Sequence, residues 1–458
     1  MENLNYLKSV YFMGIGGIGM SAIARYFNHN NVKVAGYDKT ISPLTQELES
    51  EGINIHYEDD LSKMPDLVDL CVITPAVPKY LNELNEILLR GIPVMKRSEV
   101  LGLITDNRNT IAIAGTHGKT STTALTAHLL KTANLPVNAF IGGISANYNT
   151  NLLLADNSDL FVVEADEFDR SFLTLHPKYA VITSVDADHL DIYGDKDELK
   201  HSFVDFSNQV SQFLLVNESI KDTFNLQKSV FTYAINSSTA DFNASNFTLT
   251  DNVYSFDLTT PQGPILNIEF GIGGEHNIEN AVAASALALQ QGISIENLRL
   301  GLKTFCGVHR RFEPIIISDK LIYIDDYAHH PAEITACLTS IRKMYPNRKI
   351  TAVFQPHLFS RTRDFADDFA DSLALADNLI LLDIYPAREE PIDGITGAWL
   401  LSKVKMEKKW QVEKSELNST LISLNPELIV TMGAGDIDRL VEGVKNACIQ
   451  NFNIKNDE

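Results

Sequence analysis

Residues 111–130, "IAIAGTHGKTSTTALTAHLL", decide how the rest of the chain is read. A short apolar run ends in a Gly-Lys-Thr turn and gives way to a helical pattern. In that layout the backbone N–H groups at Gly115, Thr116, His117 and Gly118 converge on phosphate oxygens at the positive end of a helix. Lys119 bridges the outer phosphates, the Thr120 hydroxyl is placed to ligate Mg²⁺, and Ser121 adds a further nucleotide contact in the first turn. One position departs from the usual G-x-x-x-x-G-K-[ST] spacing, because Ile113 stands where the first glycine belongs.

A second glycine finger precedes it. In "VYFMGIGGIGM", residues 10–20, Gly14, Gly16 and Gly19 lie between a strand pattern and a helix pattern, with Asp38 at the end of the next strand. The spacing matches G-x-G-x-x-G, a nest for a pyrophosphate. A nicotinamide dinucleotide carries such a group, and so does a UDP-sugar, with Asp38 free to accept bonds from the nucleoside. The remaining motifs supply phosphate-transfer parts and no hydride-transfer site, which weighs against the nicotinamide.

Strand-like and helix-like runs alternate in three series. The first holds "SVYFMG", "VKVAGYD" and "LDLCVIT" and stops at the polar stretch "TDNRNT", residues 105–110. The second runs from the phosphate loop through "LFVVEAD", "YAVITSVDADH" and "QFLLVNE". It continues into "NVYSFDL" and "PILNIEF", whose alternation predicts an antiparallel patch, and into the small-residue helix "NIENAVAASALALQQG", closed by Gly292. The third begins at "RRFEP" and contains "LIYIDD", a helix from Pro331, "KITAVFQ", a helix after Arg363, "NLILLD" and "LIVTMGAG". The expectation for these 458 residues is an α/β fold of three consecutive domains. They are a Rossmann-like domain at 1–108, a central P-loop ATPase domain at 109–310 and a Rossmann-like domain at 311–458.

Further chemistry-bearing residues follow the strand patterns. "VVEADEFDRS" places Glu164, Asp166, Glu167 and Asp169 past one strand, and "VDADHLDIYG" places Asp186, Asp188, His189 and Asp191 past the next. Hard oxygen donors there suit Mg²⁺, which takes a few protein groups besides water and phosphate. Asn277 and Asn280 open a helix, either reading a base edge or capping the helix end. Arg310 and Arg311 suit bidentate phosphate contact. "DDYAHHP" and "FQPHLFSRTRD" crowd Asp326, Tyr327, His329, His357, Arg361 and Arg363 behind two more strands, a set suited to a carboxylate and a small zwitterion.

Composition narrows the classes. With 59 acidic and 38 basic residues the formal charge is −21, which repels a polyanion and argues against nucleic acid as the ligand. No apolar run approaches the ~20 residues of a membrane span. The start "MENLNYLKSVYF" lacks the pattern of a secretory signal, so a cytoplasmic chain is expected. The four cysteines are scattered without metal-type spacing and read as reduced thiols.

Taken in order, "GIGGIGM", "AGTHGKT", "EADEFDRSFL", "DADHLDIYG", "GEHNIENA", "RRFE", "DDYAHHP", "FQPHLFSRTRD", "DIYPAREEPIDG" and "GAGDI" resemble the Mur ligase family of peptidoglycan precursor synthesis over nearly the whole chain. The family pattern GTxGKT also accounts for Ile113. The resemblance implies ATP and Mg²⁺ as cofactors, UDP-N-acetylmuramate and L-alanine as small-molecule substrates, and a monomer or weak dimer. It implies that Gly16, Gly17, Gly19 and Asp38 contact UDP, and that Lys119 and Thr120 hold the triphosphate and a magnesium. Glu164 and His189 would ligate metal, Asn277 and Asn280 would lie near adenine, and Arg311 and Asp326 would face phosphate or ribose. Tyr327, His329, Arg361 and Arg363 would meet the lactyl carboxylate and the amino acid, with Lys119, Glu164, His189 and Arg361 as the catalytic set. The implied reaction runs through an acyl phosphate, which the third domain must shield from water. Three other readings are carried forward: a murein peptide recycling ligase acting on the same UDP-sugar, an NAD-dependent oxidoreductase, and a nucleotide-binding protein without catalysis.

Overall fold

β-Strands form where the apolar runs lie, and helices fill the intervals between them. The computed structural model describes residues 4, 6–186, 193, 196–224, 230–250, 253–387 and 389–454. Among these residues there are three sheets, of five, ten and six strands, with helices between most successive parallel strands, the three consecutive α/β domains expected from the pattern. No helix of the described residues is long and apolar enough to cross a membrane.

The first sheet is parallel throughout, in the order Asn54–His56, Lys33–Tyr37, Ser9–Met13, Leu70–Ile73, Val94–Lys96. The chain leaves Ser9–Met13 toward one neighbour and later returns on its other side. The glycine finger therefore starts at the switch point of the sheet, where α/β folds place ligands. In the ten-stranded sheet Asn109–Ala114 sits between Tyr179–Ile182 and Leu160–Ala165 and runs parallel to both. Val253–Thr259 and Ile265–Phe270 lie side by side at one end of it, each half-buried with alternating faces.

The third sheet runs Glu313–Ile317, Ile322–Asp326, Leu428–Met432, Ile350–Phe354, Asn378–Leu381, Lys409–Gln411. Its first pair is antiparallel, and the other four pairs are parallel. The arginine-bearing stretch is helical earlier than expected. Phe359–Asp364 forms one short helix and Ala366–Leu373 the next, so Arg361 and Arg363 sit within the first of them.

The described residues fall into two compact units. One comprises 1–248, 255–270 and 279–306, and the other 249–254, 271–278 and 307–458. In the first, the cores of the first two sheets merge into one apolar cluster that runs from Val10 and Phe27 through Phe140 and Val163 to Phe172 and Phe206. A buried polar clasp adds direction. Arg25 donates to Asn151 Oδ1, whose amide donates to Ile18 O at 2.6 Å and to Ser21 Oγ at 2.9 Å, while Glu47 and Glu51 neutralise the guanidinium. The second unit has separate clusters on the two faces of its six-stranded sheet.

His128 is buried on the helix Lys119–Thr132, its ring nitrogens against Tyr148 Oη at 2.8 Å and Thr304 Oγ1 at 3.0 Å. Burial pushes the imidazole down to about 4. The unfolded chain titrates near 6.5, so between these values it binds more protons than the folded one, and stability falls as pH falls through that window. Thermal unfolding of the first unit should lose up to about 2 kcal/mol between pH 7 and pH 5. The slope should be smaller in His128→Gln, and an equal slope in the variant would place the dependence elsewhere.

Candidate nucleotide and ligation site

Three neighbouring strands of the ten-stranded sheet end on the same side, and the turn at Gly115–Gly118 emerges between the loops that follow the other two. Gly118 begins the helix Lys119–Thr132 at φ +78°, a conformation that side chains rarely adopt, and a Cβ there would lie 2.5 Å from Asn280 Oδ1. The loop after Tyr179–Ile182 clamps the turn. Thr116 N donates to Ser184 O at 3.2 Å, His117 N donates to Ser184 Oγ at 2.9 Å, and Thr183 Oγ1 donates to His117 O. Those two amides, aimed at phosphate in the sequence reading, are thus bonded inside the protein. His117 Nε2 lies 3.4 Å from Asp186, and Ser121 is half-buried in the helix's first turn.

On the other side, the loop after Leu160–Ala165 brings the acids. Thr120 Oγ1 donates to Glu164 Oε1 at 3.1 Å, and Gly142 N donates to Glu164 Oε2 at 3.0 Å. A hydroxyl and a carboxylate side by side, both hard oxygen donors, fit an ion that completes its shell with water and phosphate. His189, the third metal residue expected, lies outside the described residues. Lys119 Nζ donates to Glu167 at 2.7 and 3.0 Å and to Gly115 O at 2.6 Å. Burial works against its charge, but Glu167, Asp166 and Glu164 outweigh that and hold its pKa above the ordinary lysine value.

Asn277 and Asn280 lie one turn apart on the helix Glu275–Gln290. Asn277 Nδ2 donates to Gly273 O at 2.7 Å, and Asn280 Oδ1 accepts from Thr122 Oγ1 at 3.2 Å against Gly118. Asn280 thus supports the phosphate turn itself.

In the glycine finger, Asp38 Oδ2 accepts from Gly16 N at 2.8 Å and Oδ1 from Thr40 N at 3.0 Å. A Cβ on Gly16 would meet Thr45 Cγ2 at 2.6 Å. The Asp38 carboxylate thus also fastens the finger. Gly17 and Gly19 line a cleft of about 280 Å³ together with Thr74, Arg97, Gly142, Glu164 and Asp166. Finger and metal-type carboxylate therefore share one cavity. Arg97 Nη2 stands 3.3 Å from Asp166 Oδ2 within it. Arg97, Gly142, Thr183 and Ser184 carry no motif, and only a serine-threonine pair at a strand end hinted at the clamp.

The second unit gathers another set. Asp326 is buried, accepting from Phe312 N at 2.6 Å and Ala328 N at 2.7 Å. Burial pushes it up to about 6, with Arg311 pulling it back. Arg311 lies 4.7 Å and Arg310 5.2 Å from the centre of the Tyr327 ring. His329 packs edge-on against Tyr327, with Nδ1 3.1 Å from Glu333. Arg361 is buried, whereas Arg363 is half-exposed and paired with Asp364 at 2.7 Å.

A phosphate turn on a lysine and threonine, acids at the adjacent strand end and a second glycine nest on the same cleft define an enzyme of phosphoryl chemistry that handles two phosphorylated ligands. Family models agree in chain order: "Mur ligase family, catalytic domain" matches residues 9–109, "Mur ligase middle domain" residues 113–288, and "Mur ligase, glutamate ligase domain" residues 310–435. The chain belongs to the Mur ligase family. It is 49% identical to the UDP-N-acetylmuramate--L-alanine ligase of Christiangramia forsetii over 98% of this chain and 99% of that one. The crystal structure of UDP-N-acetylmuramate-alanine ligase MurC from Thermotoga maritima is 27% identical, with a TM-score of 0.82 over 96% of this chain and 98% of that one. A murein peptide ligase from Psychrobacter arcticus shares the fold, at 22% identity and a TM-score of 0.69 over 98% and 99% of the two chains.

Gly118→Ala should strain the turn by about 1–3 kcal/mol and push Asn280 away. Calorimetric titration is expected to show ADP binding weakened with UDP binding unchanged, and equal weakening of both would contradict separate cradles.

Proposed function

We propose that the chain joins L-alanine to the lactyl carboxylate of UDP-N-acetylmuramate while ATP is converted to ADP and phosphate, a step of peptidoglycan precursor synthesis. The observation that carries this reading is the single cleft from Gly17 and Gly19 to Glu164. A substrate whose pyrophosphate rests on the finger extends its sugar toward the phosphoryl-transfer end. Identity of 49% over 98% of the chain to a relative named for this activity supports it, and favours it over the peptide-recycling reaction.

In this reading residues 1–108 bind the UDP-sugar, 109–310 bind ATP and 311–458 bring the amino acid. The muramyl carboxylate is a weak acyl donor, so its oxygen attacks the γ-phosphate, giving an acyl phosphate and ADP. The amine of L-alanine attacks the activated carbonyl, and the tetrahedral adduct expels phosphate. Lys119 neutralises charge on the phosphoryl group in flight, where electrostatic stabilisation counts most. Thr120 and Glu164, with His189, would hold a magnesium ion, which would supply further charge neutralisation on the phosphates. Arg311 and Asp326 serve the nucleotide, and Tyr327, His329, Arg361 and Arg363 serve the lactyl carboxylate and the alanine. We place the reaction in the cytoplasm and take the enzyme as a monomer or weak dimer.

Phosphate release should require ATP, UDP-N-acetylmuramate and L-alanine together with Mg²⁺, with mass spectrometry finding one alanyl residue on the UDP-sugar. Turnover with a tripeptide but not alanine would move the assignment to the recycling reaction. Lys119→Ala should lower turnover by about 10²–10³-fold or more while UDP-sugar binding persists. Loss of both would undo the two-cradle arrangement.

A further inference from the structure

Glu164 and Asp166 line the cleft, but Glu167 is closed off, its side chain only 1% exposed. Both of its carboxylate oxygens accept from Lys119 Nζ, at 2.7 and 3.0 Å, and Gly115 O accepts at 2.6 Å. An ammonium has three donors and no acceptor, so the strong hydrogen bonds of Lys119 are all made inside the protein. A phosphate gripped by Lys119 must take at least one of them, and Gly115 O belongs to the turn that the phosphate enters. The bond released is therefore one to Glu167. This carboxylate is in no position to follow the lysine outward. Tyr193 Oη donates to Glu167 O at 2.5 Å, Phe172 N donates to Asp166 O at 2.9 Å, and Phe172 itself stacks on Phe206 and packs edge-on against Phe203.

We propose that Glu167 is a positioning residue that stands in for phosphate on Lys119 while no nucleotide is bound, holding the ammonium over the turn at Gly115 and competing with the incoming nucleotide for it. The inference rests on the reading of Lys119 as the phosphate-gripping lysine. Its two consequences have opposite signs. Holding the lysine in place favours the chemical step, because a preset charge needs no reorganisation as the phosphoryl group moves. Competition weakens nucleotide binding. Among the described residues, the charged and titratable groups facing Glu167 are Lys119, Asp166 and Tyr193, with Arg170 over the Tyr193 ring and Glu164 beyond Lys119. Burial pushes the Glu167 carboxyl up to about 7 and Lys119 pulls it back, so its charge, and with it the competition, grows from pH 6 to pH 8.

The test is ADP binding by titration calorimetry in magnesium chloride, beside steady-state phosphate release, for the wild type, Glu167→Gln and Glu167→Asp. Glu167→Gln keeps the shape and removes the charge. It should bind ADP about tenfold more tightly and turn over more slowly, a split that simple loss of packing does not produce. The wild-type to Glu167→Gln ratio of dissociation constants should widen from pH 6 to pH 8, a comparison in which the nucleotide's own ionisation cancels. Glu167→Asp keeps the charge on a shorter reach and should fall between the two. It decides the matter if the glutamine variant does not fold. ADP affinity in the folded variant that is equal to or weaker than wild type overturns the proposal. A Lys119→Ala control with undiminished ADP affinity would instead overturn the reading of Lys119, which separates the two failures.

Discussion

An ammonium group with little access to water needs acceptors on all its donors, and it needs negative charge close by to offset its lost hydration. Lys119 meets that need between the carbonyl of Gly115 and the carboxylate of Glu167, and much of the first unit follows from it. The turn must pass close beneath the lysine, which calls for Gly118 at positive φ with Asn280 packed against it. The acids must arrive from an adjacent strand end, which the parallel pairing of Asn109–Ala114 with Leu160–Ala165 achieves. The far side must then be held, and Thr183 and Ser184 do so from the other neighbour.

The two cradles belong to one unit because their sheets share a core. Arg25, Asn151 and Ser21 are buried polar groups at that junction, and their hydrogen bonds admit only one orientation. Apolar contact alone would tolerate sliding. The distance from finger to phosphate turn is thus a property of packing, which suits a reaction joining the far end of one substrate to the phosphate of another. The second unit is organised on other terms. Two guanidinium groups lie on one tyrosine ring, and two buried aspartates at the end of Ile322–Asp326 face Arg310 and Arg311. Positive charge there is oriented by flat aromatic surfaces and neutralised from beneath.

A protein with a formal charge of −21 must bind anionic ligands against its own field. At physiological ionic strength that field is screened beyond about 8 Å, so local cations decide. Lys119, Arg97 and the helix beginning after Gly118 concentrate positive potential where phosphate belongs. Each of the two side chains is paired with a carboxylate, so neither carries bare charge.

The sequence by itself determined the three α/β series, the phosphate turn and the finger. These rest on local periodicity and on glycine spacing, which neighbouring residues encode. It also pointed to Glu164 and Thr120, because strand ends and helix starts are local features. It did not show the internal partners of its backbone and carboxylate groups. The amides of Thr116 and His117 are bonded to Ser184, and Asp38 ties down Gly16 and Thr40. The helix at Phe359–Asp364 began earlier than its pattern suggested. Only the tertiary structure decided that Arg97 faces Asp166, that Gly142 braces Glu164 and that Glu167 holds Lys119. Those partners are up to 69 residues apart and meet only because their strands and helices end side by side, and adjacency across a sheet is set by the whole fold rather than by the spacing of residues along it.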